Sequence, residues 1–461
     1  MRVIFVMSDS FRWDHLGYLG NKWIRTPNLD RLSKECAVFE NSVAGSWATV
    51  PNRTDLLIGQ YGFRERPWQP LKPDDITLPM DLAERGIRSQ LISDTANTIS
   101  RECNLYRGFS AWFHNRGQEG DPWCTRTDVP LDLKCPLEGV RYPAERWHQI
   151  LMNRAHRQVE SDWFAPGTFT LAINWLKQNR KLEKFLLWID TFDPHEPWDP
   201  PQHYIDLYDP NYEGRVFEAP TYGIRKKIGM TDRELKHTRA RYAGECTMVD
   251  HWVGQLAVTM EQLGMLDDTM LIFTADHGHY LDYPGDGGLI GKPSATGPEG
   301  TWKASKDPKE NTYHPLYLTM ARQPLLLRMP GRKKGKRITA FVQPADIMPT
   351  ILDFFGMKKP DRCQGESLLP LIAGKKKTIR PSAYSGLHKR MSLVTNKRWA
   401  YCCWLGMRPA ALWDRKADPD QKKDVAKKHP DVVKEMHKEL ATFLRSVGAA
   451  EAYITAHDPQ M

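Results

Sequence analysis

The sequence predicts an α/β protein: a large, mostly parallel sheet flanked by helices, followed by a small C-terminal α+β subdomain. Three observations predict it. Apolar runs of strand length alternate with amphipathic helical segments, the pattern of a parallel sheet covered on both faces. Four of those runs finish in aspartate, at Asp9, Asp94, Asp190 and Asp276. Near residue 375 the pattern changes to short strand-like runs and one terminal helix.

In chain order, Arg2–Met7 reads as a buried strand and Asn28–Lys34 as the beginning of a helix. Leu78–Arg85 is a short helix stopped by Gly86, and Ile87–Ser93 the next strand. Phe169–Lys177 reads as helix, Phe185–Ile189 as strand, Thr247–Leu263 as a long amphipathic helix closed by Gly264, and Met270–Thr274 as strand. Beyond Lys375–Lys377 come strand-like runs at Met391–Thr395 and Trp399–Trp404. A last helix carries the stripe Val433, Met436, Leu440, Phe443 and Leu444. The expected division is 1–374 for the main domain and 375–461 for the subdomain.

Composition narrows the function. The chain has 461 residues, 41% apolar and 26% charged, which is globular arithmetic. Mean hydropathy is −0.57, and no apolar run approaches the ~18 residues of a membrane span. The first apolar stretch is too short for a secretory leader, so this form is expected in the cytoplasm, or after processing. The 65 basic and 56 acidic side chains leave a net charge of +9, which favours an anionic partner. The charge lies in scattered clusters (Arg332–Arg337, Lys375–Lys377, Lys422–Lys428), which read as solvated loops rather than a nucleic-acid surface. None of the eight cysteines forms a C-x-x-C pair, and reduced thiols are the expectation.

The chemistry gathers at the strand ends. Ligands of open α/β sheets bind beyond the carboxyl ends of the strands. One aspartate there is commonly a turn or cap residue; four, with Asp276 followed by His277-Gly278-His279, suit a divalent cation. The second feature is Thr49-Val-Pro51-Asn-Arg53. Pro51 suits the first turn of a helix, and a hydroxyl at that terminus sits where a tetrahedral anion would bind. Taken alone, it would read as an ordinary threonine cap.

These blocks, in this order, resemble the sulfatase family of the alkaline-phosphatase-like superfamily along nearly the whole chain. The matching blocks are Ser8-Asp9 through Asp14-His15-Leu-Gly17, Thr49–Arg53, Asp190-Thr-Phe-Asp193-Pro-His195, Asp276-His277-Gly278, Gly291-Lys292-Pro293, Asp346–Thr350 and Leu412-Trp-Asp414. The resemblance implies one divalent cation, calcium first with manganese or zinc as alternatives, held by Asp9, Asp276 and His277. It implies Thr49 as nucleophile, Arg53 orienting it, Lys292 on the anion and His195 near the leaving group. Asn97 and His314 are the expected substrate-binding positions. The expected substrate is a small anionic ester, such as a sulfated or phosphorylated sugar or aryl ester, with no nucleic acid and no membrane involved.

Thr49 departs from the family, whose members carry a cysteine or serine there that becomes formylglycine. A threonine β-carbon bears a methyl and cannot become an aldehyde, so no formylglycine is expected and Thr49 would act as a plain hydroxyl. Two readings therefore stand beside sulfate hydrolysis. One is a phosphodiesterase or phosphonate monoester hydrolase; the other is a degenerate protein that binds an anionic ligand without turnover. By the same resemblance, Ser10 stands where many members have a second metal-binding aspartate, Asn97 near a position that is often histidine, and Gly287 in place of the histidine of a common His-Gly pair. A segment of about twenty residues, Ser294 to Tyr313, looks inserted before His314. Asp190 and Asp193 could serve a second metal, but one metal is the favoured reading. Trp68, Trp123 and Trp198 are sugar- or aryl-platform positions that serve equally well as packing.

Overall fold

The computed structural model describes residues 1–99, 103–292, 295–296, 312–405 and 408–457. Eight strands form the main sheet: β1 (Arg2–Ser8), β2 (Ala37–Ser42), β3 (Arg88–Ser93), β4 (Ala111–His114), β5 (Phe185–Thr191), β6 (Thr269–Ala275), β7 (Leu325–Arg328) and β8 (Lys336–Val342). Their spatial order is β8-β2-β7-β6-β1-β5-β3-β4. All neighbours run parallel except β7, which is antiparallel to both β2 and β6.

The central strands are buried on both faces, as their unbroken apolar runs require. Alternation divides β1 between two cores: Val3, Phe5 and Met7 join one, Ile4 and Val6 the other. Helix α1 (Thr49–Ile58) packs on the first face. Helices α2 (Phe164–Gln178) and α3 (Asp232–Gln262) cover the second.

Helix α3 starts fifteen residues before the expected Thr247. Its charged first half hides the apolar stripe, but its start is marked: Thr231 and Glu234 form a capping box, with the Thr231 N–H donating to Glu234 Oε2 at 2.8 Å. Among the described residues, no helix is long and apolar enough to cross a membrane. No disulfide joins any of the eight cysteines.

The C-terminal part is a four-stranded antiparallel meander: β9 (Ala383–Leu387), β10 (Met391–Thr395), β11 (Trp399–Trp404) and β12 (Arg408–Asp414). Helix α4 (Pro430–Ser446) lays Met436, Leu440 and Leu444 against it. The meander is tied to the chain just before α1. Trp47 N–H donates to Gly386 O at 2.9 Å, and Gly386 N–H donates back to Gly45 O at 3.0 Å. Gly386 permits this approach, because a Cβ there would lie 2.5 Å from the Phe63 ring.

Candidate active site at the strand ends

Four adjacent strands deliver the four aspartates to one edge of the sheet. Each has a different task. Asp94 braces the β5 exit, accepting from Phe192 N–H at 2.5 Å and from the hydroxyls of Thr168 and Thr191 at 2.8 and 3.0 Å. Asp190 takes the Arg53 guanidinium in a two-point grip, Nε to Oδ2 at 2.8 Å and Nη2 to Oδ1 at 2.7 Å. Asp9 and Asp276 face each other across the third Arg53 nitrogen. Nη1 donates to Asp276 Oδ2 at 2.8 Å and to Asp9 Oδ2 at 3.1 Å.

Asp9, Asp276 and His277 each bring one donor atom within 4.8 Å of the others, all buried. Backbone and neighbours hold them there. Ser10, at φ 61°, turns the chain so that its N–H donates to Asp276 Oδ1 at 2.9 Å while its hydroxyl donates to Asp9 Oδ1 at 2.7 Å. The Asp276 carbonyl accepts from Asn52 Nδ2 at 3.0 Å and Gln323 Nε2 at 2.5 Å.

The electrostatics suit a cation. Burial pushes the Asp9 carboxyl up, and Asp276 adds to the push, while Lys292 and Arg53 oppose it. His277 is pushed down to about 3, first by burial and then by Lys292, so it is neutral. Its Nδ1 lies 2.7 Å from the Gly278 carbonyl, which can only accept, so Nδ1 carries the proton. The lone pair on Nε2 is then left buried without a hydrogen-bond partner. Two facing carboxylates and an unpartnered imidazole lone pair fit a divalent cation.

Thr49 is the first residue of α1 and is 2% exposed. The loop before it is pinned by Asp55, which accepts from Ser46 N–H at 2.6 Å, Ser46 Oγ at 2.8 Å and Gly62 N–H at 2.8 Å. Arg53, one turn along, reaches the Thr49 carbonyl at 3.2 Å rather than its hydroxyl. Thr49 opens into a cavity of about 680 Å³ shared with Lys292, His195 and Asn97. Lys292 is 7% exposed, with Nζ 3.9 Å from Asp9 Oδ1. His195 stacks on Phe192, and its Nδ1 lies 2.6 Å from the Glu196 carbonyl, which leaves Nε2 as the basic nitrogen. Burial holds His195 well below the usual imidazole range, with Lys292 and Arg141 adding to the effect. Asn97 Nδ2 donates to Glu119 Oε2 at 3.0 Å.

Several expectations change on contact with the geometry. His314 is half-buried and is not among the described residues that line this cavity. Asp193 is not poised for a second metal. Its carboxylate accepts from Gln118 Nε2 at 3.0 Å and from Ala165 N–H, at the start of α2, at 3.2 Å. Among the described residues, the Asp9, Asp276 and His277 group is the one cluster suited to a metal ion. Trp198 is fully buried against His279 and is packing, whereas Trp68 lines the cavity and is 47% exposed. Gly287 cannot be restored to histidine on this backbone: its φ is 63°, and a Cβ would lie 2.8 Å from the Tyr317 ring. Pro293 and most of the Ser294–Tyr313 insertion lie outside the described residues.

Sequence reasoning missed much of the cavity wall: Arg141, Tyr142, Arg146, His388 and Arg390. Arg146 stands in the first turn of a helix (Ala144–Arg154) and the others on loops and a hairpin turn, with no motif to mark them. Glu119, which also lines the cavity, lies in the stretch 107–123, rich in polar and aromatic residues.

Fold and site together define a hydrolase of the alkaline-phosphatase-like class. Residues 2–357 match the sulfatase family model, and the chain belongs to that family. Residues 314–446 also match the C-terminal model of N-sulphoglucosamine sulphohydrolase. Among curated relatives, an arylsulfatase of Clostridium perfringens is 25% identical over 82% of this chain and 79% of its own. A multifunctional alkaline phosphatase superfamily protein of Trinickia caryophylli is 26% identical over 80% of this chain and 77% of its own. The phosphonate monoester hydrolase of Agrobacterium radiobacter superposes with a TM-score of 0.72 at 20% identity, covering 96% of this chain and 95% of that one. A protein solved in complex with its substrate D-glucosamine-2-N,6-O-disulfate gives 0.70 at 20% identity, covering 99% and 98%.

Proposed function

We propose that this chain hydrolyses an anionic ester of the sulfate or phosphate type, with Thr49 as an unmodified nucleophile and one divalent cation on Asp9, Asp276 and His277. The observation that carries the reading is the convergence of Thr49, Lys292 and His195 on one cavity, with Lys292 Nζ 3.9 Å from Asp9 of the carboxylate–imidazole cluster.

The cation would polarise the sulfuryl or phosphoryl group and favour the alkoxide form of a nearby hydroxyl. The protein supplies the rest. Asp55 and the Gly45–Gly386 hydrogen bonds fix the loop that presents Thr49. Lys292 balances charge on the non-bridging oxygens of the ester. Thr49 Oγ gives its proton to solvent and bonds to sulfur or phosphorus, the bond to the leaving oxygen breaks, and that oxygen takes a proton. His195 is placed to deliver it once the bound anion raises its proton affinity. Water then cleaves the sulfo- or phospho-threonine, releasing the inorganic anion and restoring the hydroxyl.

The phosphorus-ester reading is favoured by Thr49 itself. Without an aldehyde hydrate, the intermediate has no hemiacetal route of breakdown, and water must attack at sulfur or phosphorus. The test is turnover of one chromophore presented as aryl sulfate, aryl phosphate, bis-aryl phosphate and aryl phosphonate monoester, with stripped and metal-reconstituted protein. Metal-dependent cleavage of any one supports hydrolysis, and the order of rates assigns the ester. Silence on all four, with metal bound, would favour a binding-only protein.

A further inference from the structure

The cavity above Thr49 exceeds what its anion-binding end requires. At about 680 Å³ it falls in the ~300–1,000 Å³ range of sites that enclose a whole small molecule. Its lining is basic: Arg141, Arg146, Lys292 and Arg390 stand against Glu119 as the one acid among the described lining residues. Three of these cations already have carboxylates. Arg141 Nη2 lies 3.1 Å from Glu119 Oε1 and 3.0 Å from Glu196 Oε1, and Lys292 faces Asp9. Arg146 is exposed, and its Nη2 lies 3.5 Å from Glu119 Oε1 and donates to the Glu119 carbonyl at 3.1 Å. Arg390 is half-buried, and no carboxylate among the described residues pairs with it.

Arg390 is held in place relative to the nucleophile. It sits in the turn joining β9 to β10, and β9 is hydrogen-bonded to the loop ahead of Thr49 through Gly386, Gly45 and Trp47. His388 Nδ1 donates to the Phe63 carbonyl at 2.9 Å, anchoring the same turn. Lys389, at φ 57°, points the turn so that His388 and Arg390 both line the cavity while Lys389 itself is exposed. Trp68 offers an exposed ring on the same cavity, a surface on which a sugar ring can lie.

We propose that Arg390, seconded by Arg146, reads a second anionic group on the leaving group, so that the preferred substrate is a saccharide bearing both the ester to be cleaved and a further sulfate or carboxylate. This rests on the ester-hydrolase reading above for its chemistry, but not for its binding. An unpaired guanidinium on a partly enclosed wall gains most from an anion it can grip at two points.

The test uses sulfated disaccharides derived from heparin and chondroitin, each beside a counterpart that lacks the second anionic group, with 4-nitrophenyl sulfate as a reference ester. The expected result is that at least one polyanionic member surpasses its counterpart in kcat/KM by about tenfold, mainly through KM. Arg390→Gln and Arg146→Gln should each shrink that ratio by roughly fivefold, the scale of a partly screened ion pair. Equal turnover of every pair, or a ratio that survives both substitutions, overturns the proposal. If none of these sulfate esters is cleaved, sulfate hydrolysis is set aside, the phosphorus-ester assay above decides the hydrolase reading, and binding decides the inference alone. Calorimetry with the same disaccharides should then show salt-sensitive binding that weakens about fivefold in Arg390→Gln. Binding that is absent, or indifferent to that substitution, overturns it.

Discussion

Arg53 and Asp190 form a buried two-point ion pair, and it aims the remaining Arg53 nitrogen between Asp9 and Asp276. One guanidinium thereby compensates three buried carboxylates and fixes the spacing of two of them. Breaking a buried ion pair costs ~3–5 kcal/mol, and here Asp9 and Asp276 remain against Arg53, so the loss is expected at the lower end. Asp190→Asn is therefore predicted to lower unfolding stability by about 3 kcal/mol in urea titrations. A loss below ~1 kcal/mol would mean that Asp9 and Asp276 suffice to hold Arg53.

The carboxylate–imidazole cluster predicts a second outcome. Asp276→Ala removes a donor from the only metal-suited group among the described residues, so the purified variant should carry no stoichiometric divalent ion by elemental analysis. Chelator treatment of the wild type should stop turnover and lower its melting temperature, and calcium should restore both. Full metal occupancy in Asp276→Ala would refute the ligand assignment.

Thr49 separates a plain hydroxyl mechanism from a modified residue. Thr49→Ala should fold normally and lose turnover by about a thousandfold or more. Thr49→Ser should retain a substantial part of the rate, because a serine hydroxyl in the same place performs the same attack. Mass spectrometry of the wild type should find residue 49 unmodified. Turnover by Thr49→Ala within about tenfold of wild type would end the nucleophile assignment.

Asp193 supplies a pH dependence. Burial pushes its carboxyl up to about 7, and the neighbouring Asp199 carboxylate pushes the same way. Its ordinary value is near 3.8, so between those limits the folded state holds a proton that the unfolded chain releases. The stability from this group is complete below the unfolded value and is lost as pH rises through about 7. Wild type should therefore lose roughly 1–3 kcal/mol between about pH 5 and pH 8 from this group, and Asp193→Asn should lose less across the same interval. Parallel urea midpoints for the two proteins would show that Asp193 is not the group responsible.

How much of this was legible beforehand follows from what each feature depends on. The strand-end aspartates and the α1 terminus were readable because strand period, apolar run length and helix-start chemistry are local. The sulfatase blocks then named Asp9, Asp276, His277, Arg53, Lys292 and His195 as one site. The direction of β7 was not readable: four apolar residues carry no sign of which way they run. The first half of α3 was missed because its inward face is mixed with charge, although Thr231 and Glu234 announced it. Arg141, Arg146 and Arg390 stayed hidden for a different reason. Arg141 and Arg390 stand in a loop and a turn, Arg146 on a short helix that no motif marks, and only the packing of β9 on the Gly45–Trp47 segment makes Arg390 a neighbour of Thr49.

His195 closes the chemistry, and its role can be separated from mere structure by the leaving group. The imidazole is neutral in the free site, its proton on Nδ1 is held by the Glu196 carbonyl, and the residue lines the cavity shared with Thr49 and Lys292. An incoming sulfate or phosphate ester draws a proton onto Nε2, and that proton can pass to the departing oxygen. A nitrophenolate leaves readily without help, whereas a sugar alkoxide does not. His195→Ala should therefore slow hydrolysis of a sugar ester by about a hundredfold or more and slow the 4-nitrophenyl ester about tenfold or less. A purely structural role would slow both equally. Equal losses, measured as kcat/KM on the two esters, would move His195 from proton donor to packing residue and leave protonation of the leaving oxygen to water.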